Sequence, residues 1–163
     1  MGVKMCSIDS STKITGLAIF TNGKLTAHHL IDHSKIKDVD ERSMAMSRSI
    51  CSYLDEYAPE VIYIEQPKGK QNIELVRKLS RILGVVMGWA ATHNCYYEEV
   101  MPSVWRKYIP EFDQGGKERT ELKEESIRIC KDFFGFQPKS DDEADACLIG
   151  YSMLIKYDVD ELF

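Results

Sequence analysis

The chain has 163 residues, of which 44% are hydrophobic and 29% charged, which is typical of one globular domain spanning residues 1–163. No apolar run approaches the roughly 20 residues that cross a bilayer, and the N-terminus lacks an apolar signal core, which excludes a membrane protein and argues against export. The five cysteines are scattered and form no close pair, which indicates reduced thiols in a cytoplasmic protein.

The net charge of −5 argues against a nucleic-acid partner, but the charge is distributed unevenly. Residues 66–140 contain 13 Lys and Arg against 10 Asp and Glu, a net charge of +3, so the rest of the chain carries −8. A basic middle segment beside acidic ends is expected if an anionic substrate lies across one surface and cations neutralise the other.

The first 31 residues predict a strand followed by a hairpin. Residues 3–8 alternate in polarity and lead into Asp9, and residues 15–20 form a second strand. The pair Asn22-Gly23 favours a tight turn into a third strand at residues 24–31. Asp9 therefore lies where the first strand ends.

Helices and strands alternate over the rest of the chain. The predicted elements are a helix at residues 38–57, a strand at 61–64, a helix at 72–92, a strand at 95–100, a short helix through Trp105 and Tyr108, a helix at 117–134 and a last helix after residue 140. Glu65 closes the strand at 61–64. In the helix at 72–92 we expect one inward stripe of apolar residues, and Gly84 and Gly88 to allow close approach to the sheet. The stripe consists of Leu75, Val76, Leu79, Ile82, Leu83, Val86, Met87 and Ala90.

This element order is typical of an α/β fold with a central five-stranded mixed β-sheet flanked by α-helices. Sites in such sheets form where neighbouring strands end. Asp9 and Glu65 occupy that position on two strands, and the last helix can bring Asp142 and Asp145 over them.

Asp142 and Asp145 stand three residues apart at the start of the last helix, so they share one face. Asp141 stands four residues before Asp145 and competes for the same role. One interpretation is that these acids cap the helix and interact favourably with the positive end of its dipole. The other is that they hold a cation, since packed carboxylates repel each other without one. Asp9 and Glu65 favour the second interpretation.

Four carboxylates at one point cannot all stay ionised without cations, and Mg²⁺ is the oxygen-preferring cation available in cytoplasm. Two such ions, roughly 4 Å apart, position the attacking water and the leaving oxygen of a phosphodiester. Asp9, Glu65, Asp142 and Asp145 are therefore predicted to be metal ligands and catalytic groups in two-metal phosphodiester hydrolysis.

Three motifs that carry these acids occur in order along the chain. They are Ser7-Ile8-Asp9-Ser10 with Thr15-Gly16-Leu17-Ala18, then Ile64-Glu65-Gln66, then Asp142-Glu143-Ala144-Asp145-Ala146. Together they resemble the RuvC family of Holliday-junction resolvases, which have a ribonuclease H-like fold, and the similarity covers nearly the whole chain. The resemblance implies that the four acids match the family's four metal-binding acids.

The resemblance also implies a homodimer that uses two Mg²⁺ ions, with Mn²⁺ as a substitute, and makes paired nicks across four-way DNA junctions. Forks and flaps are further expected substrates. Two family lysines reach the scissile region. Lys107 fits the first, and Lys123 fits the second better than Lys117, so Lys123 is assigned a catalytic role and Lys107 and Lys117 are assigned to DNA binding. The chain has Ser10-Ser11 where bacterial members carry Pro-Gly, and it looks more like the divergent, phage-type branch.

Further basic residues flank the predicted metal site and are candidates for phosphate contacts: Lys68, Lys70, Arg77 and Arg81. Gly69 between two lysines suits close approach to DNA. Arg77 and Arg81 fit a solvated helix face equally well.

Two other functions fit the same residues. One is a catalytically inactive module that binds branched DNA, and the other is a ribonuclease H-like nuclease that acts on RNA/DNA hybrids. Loss of cleavage with retained binding in Mg²⁺ would identify the first, and substrate competition would identify the second.

Overall fold

A five-stranded mixed sheet forms the centre of the computed structural model, which describes residues 2–67, 72–112, 115 and 117–157. The strands are β1 (Lys4–Asp9), β2 (Ile14–Thr21), β3 (Lys24–Asp32), β4 (Val61–Glu65) and β5 (Tyr96–Val100), in the order β3-β2-β1-β4-β5. The pairs β1–β2 and β2–β3 are antiparallel, whereas β1–β4 and β4–β5 are parallel. The predicted five-stranded mixed sheet is confirmed.

The helices follow the predicted order, with bounds that differ by a few residues. They are α1 (Val39–Tyr57), α2 (Ile73–Thr92), α3 (Pro102–Trp105), α4 (Arg119–Phe134) and α5 (Asp141–Lys156), and a 3-10 turn at Arg106–Tyr108 follows α3. Local chemistry sets several of these ends. The Asp38 and Ser140 side chains accept hydrogen bonds from the first turns of α1 and α5, and Gly135 ends α4 in the left-handed conformation.

Each face of the sheet has its own hydrophobic core, and β1 contributes to both. Met5 packs in the core under α4 and α5, whereas Cys6 and Ile8 pack in the core under α1 and α2. The helix α5 lies very close to the sheet, since a methyl group on Gly150 would overlap the ring of Phe20 and the hydroxyl of Ser7. This close packing fixes the position of α5 relative to the strand ends.

The inward stripe predicted for α2 is confirmed at Ile82, Leu83, Val86 and Ala90, but it is wrong at Leu75, Met87 and the two glycines. Its buried residues are Ile82, Leu83, Val86, Trp89 and Ala90, whereas Leu75 and Met87 are 44% and 48% exposed. Gly84 and Gly88 point away from the sheet, and a methyl group on either would meet nothing within 4 Å. Apolar and small residues cover most of the circumference of this helix, so the predicted stripe was wider than the buried face. No helix in the described ranges is long and apolar enough to cross a membrane.

Candidate active site

Asp9 and Glu65 are the last residues of two neighbouring strands. The strands β1 and β4 are parallel neighbours, and Ile8 is the partner of Ile64 in their register. The next residue of each strand is a carboxylate, so both acids lie at the same edge of the sheet. The predicted position of both acids at strand ends is confirmed.

The N-terminus of α5 packs over that edge. Asp9 pairs with Gly16 across β1 and β2, and a methyl group on Gly16 would overlap the backbone of Asp142. The absence of a side chain at Gly16 therefore lets α5 approach the strand that carries Asp9. The side-chain oxygen of Ser140 caps this end of α5.

The acids line one cavity of about 360 Å³. Its lining residues are Asp9, Ser10, Ser11, Glu65, Gln66, Pro67, Leu75, Leu79, Arg106, Arg119, Leu122, Lys123, Asp141, Asp142 and Asp145. The structure thus brings all four predicted acids to one place, and Asp141 with them.

Burial, and after it mutual repulsion, raises the pKa of three of these carboxyl groups. Burial, and then the charges of Glu65, Asp145 and Asp142, raise the pKa of Asp9 well above its usual value. Burial and the charge of Glu65 raise the pKa of Asp145 to about 7. The pKa of Asp142 is also raised, by burial and by Asp141. The cavity therefore favours protons or cations between its carboxylates.

Two basic side chains enter the acidic cavity. Lys123 Nζ lies 2.6 Å from Asp141 Oδ2, and its charge partly offsets the raised pKa of Asp142. Arg106 is 3.7 Å from Asp145 Oδ2, and its guanidinium lies over the Trp105 ring at 4.7 Å from the centroid. Both cations are placed to contact an anion that enters the cavity.

Three comparisons with known proteins bear on this site. No protein-family model matches the sequence. The crossover junction endodeoxyribonuclease RuvC of Corynebacterium glutamicum is 25% identical over 151 residues, which cover 89% of this chain and 66% of the relative. The chain thus spans about two thirds of the length of that relative. The RuvC of Caldicellulosiruptor saccharolyticus is 23% identical over 172 residues, 98% of this chain and 100% of that protein.

Among solved structures, T. thermophilus RuvC in complex with Holliday junction substrate matches with a TM-score of 0.77 at 18% identity, covering 98% of this chain and 97% of that chain. The chain resembles the RuvC family in sequence and in fold. The predicted ribonuclease H-like architecture is confirmed by this match and by the mixed sheet.

The basic residues predicted from the RuvC resemblance do not all lie at the cavity. Lys107 is exposed on the 3-10 turn, and the preceding residue Arg106 lines the cavity instead. Lys117 Nζ lies 2.8 Å from Glu125 on α4. Arg119, which sequence reasoning missed, lines the cavity at the start of α4. Its signal was its position between Lys117 and Lys123 in the first turns of the helix predicted at residues 117–134.

Two of the remaining predicted DNA-contacting residues, Arg77 and Arg81, lie on α2. Arg81 pairs with Asp40 of α1 at 2.7 Å, and both side chains are largely exposed. Arg77 is exposed on the same helix. Lys68 and Lys70 lie outside the described residues. The assignment of these four residues to DNA stays a prediction.

Glu143 lies between two of the cavity acids in sequence but turns away from them. Its Oε1 lies 2.7 Å from His28 Nδ1 on β3, and the backbone N–H of Lys139 donates to its Oε2. The His28 ring in turn stacks on Phe136. The acidic segment is thus divided, with Asp142 and Asp145 at the cavity and Glu143 fastening the helix to the sheet.

The cavity residues of this RuvC-like chain fit a hard, oxygen-binding cation. All of these acids offer carboxylate oxygens, the ligands that such a cation prefers. Asp145 Oδ1 is buried and accepts no hydrogen bond within the described ranges. Among the described residues, no group of three or more His, Cys, Asp or Glu is arranged closely enough to hold a metal ion as it stands. The fit to a cation therefore rests on the chemistry of the carboxylate oxygens that line the cavity.

Proposed function

We propose that this protein is a metal-dependent, structure-selective DNA endonuclease that resolves four-way junctions by phosphodiester hydrolysis. The observation that carries the proposal is that Asp9, Glu65, Asp142 and Asp145 line one cavity at a shared edge of a RuvC-like fold. The relatives named as RuvC and the solved RuvC complex with a Holliday junction substrate support the choice of substrate.

The four acids would hold two Mg²⁺ ions, with Mn²⁺ as a substitute. When bound, such ions supply a polarised water nucleophile and charge stabilisation for the leaving oxygen. Asp9 and Glu65 are held by adjacent strands, and Asp142 and Asp145 by α5, so the ligands are fixed by separate rigid elements. Packing of α5 against Gly16 sets the distance between these elements.

Lys123 and Arg106 would contact the phosphate that enters the cavity. Each already faces a carboxylate, so each can hold a DNA phosphate close to the acids without a large rearrangement. Lys123 belongs to α4, whereas Arg106 belongs to the 3-10 turn, so the phosphate would be bound between two elements. Lys107 and Lys117 would extend the DNA contact outside the cavity. The protein would act in the cytoplasm, on branched DNA.

A homodimer follows from the symmetry of the substrate, because paired nicks in a four-way junction require two sites. Light scattering of the native protein at the concentration used for junction cleavage tests this state, and a monomer that still makes paired nicks would contradict it.

The test of the function is cleavage of an immobile four-way junction with Mg²⁺, with linear duplex and an RNA/DNA hybrid of equal length as competitors. The native protein should nick the junction in symmetric pairs, and Glu65→Gln should bind it without cutting. Glu41→Gln, on the exposed first turn of α1, is the matched control and should cut normally. Preferential cutting of the hybrid would favour a ribonuclease H-like activity. Junction binding by the native protein without any cutting would favour an inactive binding module.

A further inference from the structure

The indole of Trp105 contacts one of the four cavity acids directly. Its Nε1 donates a hydrogen bond of 2.7 Å to Glu65 Oε2. An indole N–H can only donate, so this bond holds one oxygen of the Glu65 carboxylate toward the tryptophan. A carboxylate has lone pairs on both oxygens, so the bond leaves Glu65 able to bind a cation.

The Trp105 ring itself is immobilised. It is fully buried, and Phe112 packs edge-on against it with ring centroids 5.6 Å apart. The guanidinium of Arg106 covers the ring. A donor held this tightly can set the orientation of the carboxylate that it contacts, because the rotation of the indole is blocked by its neighbours.

The neighbouring residue reaches a second acid. Arg106 lies 3.7 Å from Asp145, so two consecutive residues contact acids that come from β4 and α5. The short segment of α3 and the 3-10 turn therefore links the strand end to the last helix through side-chain contacts. Packing alone would require no such polar contact, since an apolar ring could fill the same volume.

We propose that Trp105 is a positioning residue for Glu65, and that it presets this carboxylate for metal binding. The inference rests on the proposed function only in taking Glu65 as a metal ligand. It assigns Trp105 a role in the affinity for the divalent ion itself, with no requirement for a particular DNA substrate.

The decisive experiment compares Mn²⁺ affinity, from the electron paramagnetic resonance signal of free Mn²⁺, in the native protein, Trp105→Phe and Trp89→Phe. Trp105→Phe keeps an aromatic ring but removes the donor, and it should bind Mn²⁺ roughly tenfold or more weakly, the size expected for loss of a group that orients a ligand. Trp89→Phe is the matched control, because its indole also donates at 2.7 Å, to Asp55 on α1, which does not line the cavity. It should bind Mn²⁺ normally.

Native Mn²⁺ affinity in a folded Trp105→Phe protein would overturn the proposal. If Trp105→Phe does not fold, the fluorescence of Trp89→Phe tests the proposal instead. The chain has two tryptophans, so Trp105 is the one that remains in this variant. Its emission should change saturably with Mg²⁺, and adding Glu65→Gln should abolish that change. Trp105 emission that does not change when Mg²⁺ is added would overturn the proposal. A native protein that binds metal but cuts no junction would refute the proposed function and leave this test intact.

Discussion

Gly16 lies directly beneath the backbone of Asp142, with no room between them for a side chain. The requirement is steric, since a methyl group would overlap the Asp142 carbonyl. Gly16→Ala should therefore push the start of α5 away from Asp9, lower the free energy of unfolding by about 1–3 kcal/mol, and weaken metal binding. Urea unfolding and Mn²⁺ titration measure the two effects.

Gly84→Ala is the control for Gly16→Ala. It adds the same methyl group to an exposed helix position with nothing within 4 Å, so it should raise helix stability by up to about 1 kcal/mol and leave the metal affinity unchanged. Equal metal affinity in the two variants would contradict the role given to Gly16.

The stability of the metal-free protein should fall as the pH rises from about 4 to about 7. The pKa of Asp145 is about 7 in the folded protein against 3.8 as the ordinary value, so the folded state binds more protons across this range. Above pH 7 the carboxylate is ionised and buried, and the full penalty applies. Metal affinity should change in the opposite direction and rise with pH up to about 7, because the ion must displace the proton.

Asp145→Asn should flatten the pH dependence of unfolding in EDTA. Asp132→Asn, an exposed acid on α4, should retain the native dependence. The idea fails if native protein and Asp145→Asn lose stability equally between pH 5 and pH 8.

Asp142→Asn should reduce junction cleavage far more than Asp141→Asn. Asp141 is already paired with Lys123, whereas burial and repulsion raise the pKa of Asp142 and favour a cation beside it. Asp142→Asn removes a proposed metal ligand, so we expect a loss of at least a hundredfold in kcat. Asp141→Asn removes only the partner of Lys123, so we expect a loss of tenfold or less. The reverse order in single-turnover rates would make Asp141 the ligand.

His28→Ala should destabilise the fold, because Glu143 would keep a buried charge without its imidazole partner. Glu143 is 1% exposed but the His28 side chain is 35% exposed, so the expected loss is about 1–3 kcal/mol, below that of a fully buried pair. His33→Ala removes a histidine hydrogen bond to Ser49 at a site remote from α5 and should cost less. Adding Glu143→Gln to His28→Ala should recover stability, and a further loss would contradict this account.

Strand ends were the most predictable part of the site. Asp9 and Glu65 each follow a short run of buried residues, so the local pattern predicts both the strand and the acid at its end. Their adjacency depended on pairing between β1 and β4, which sequence order alone does not specify. Asp142 and Asp145 were identified by helical spacing, which holds because Ser140 caps α5 at the start of the acidic segment.

The facing of individual residues in short or broadly apolar helices was less predictable. One residue along a 3-10 turn rotates the side chain by about 120°, which is enough to place Arg106 at the cavity and Lys107 outside it. The same uncertainty led to the wrong inward placement of Leu75, Met87 and the two glycines of α2. The contact of Trp105 with Glu65 joins positions 40 residues apart, and no local pattern encodes it.

The helix α5 carries two of the four acids and is the last described helix of the chain, and it packs against β1 and β2 from the N-terminal half. The cavity is therefore complete only after residues from the two ends of the described chain have met. During synthesis on the ribosome, a growing chain has the strand-end acids early and gains Asp142 and Asp145 only when α5 emerges. A chain that stops before α5 therefore lacks two of the four acids that line the cavity.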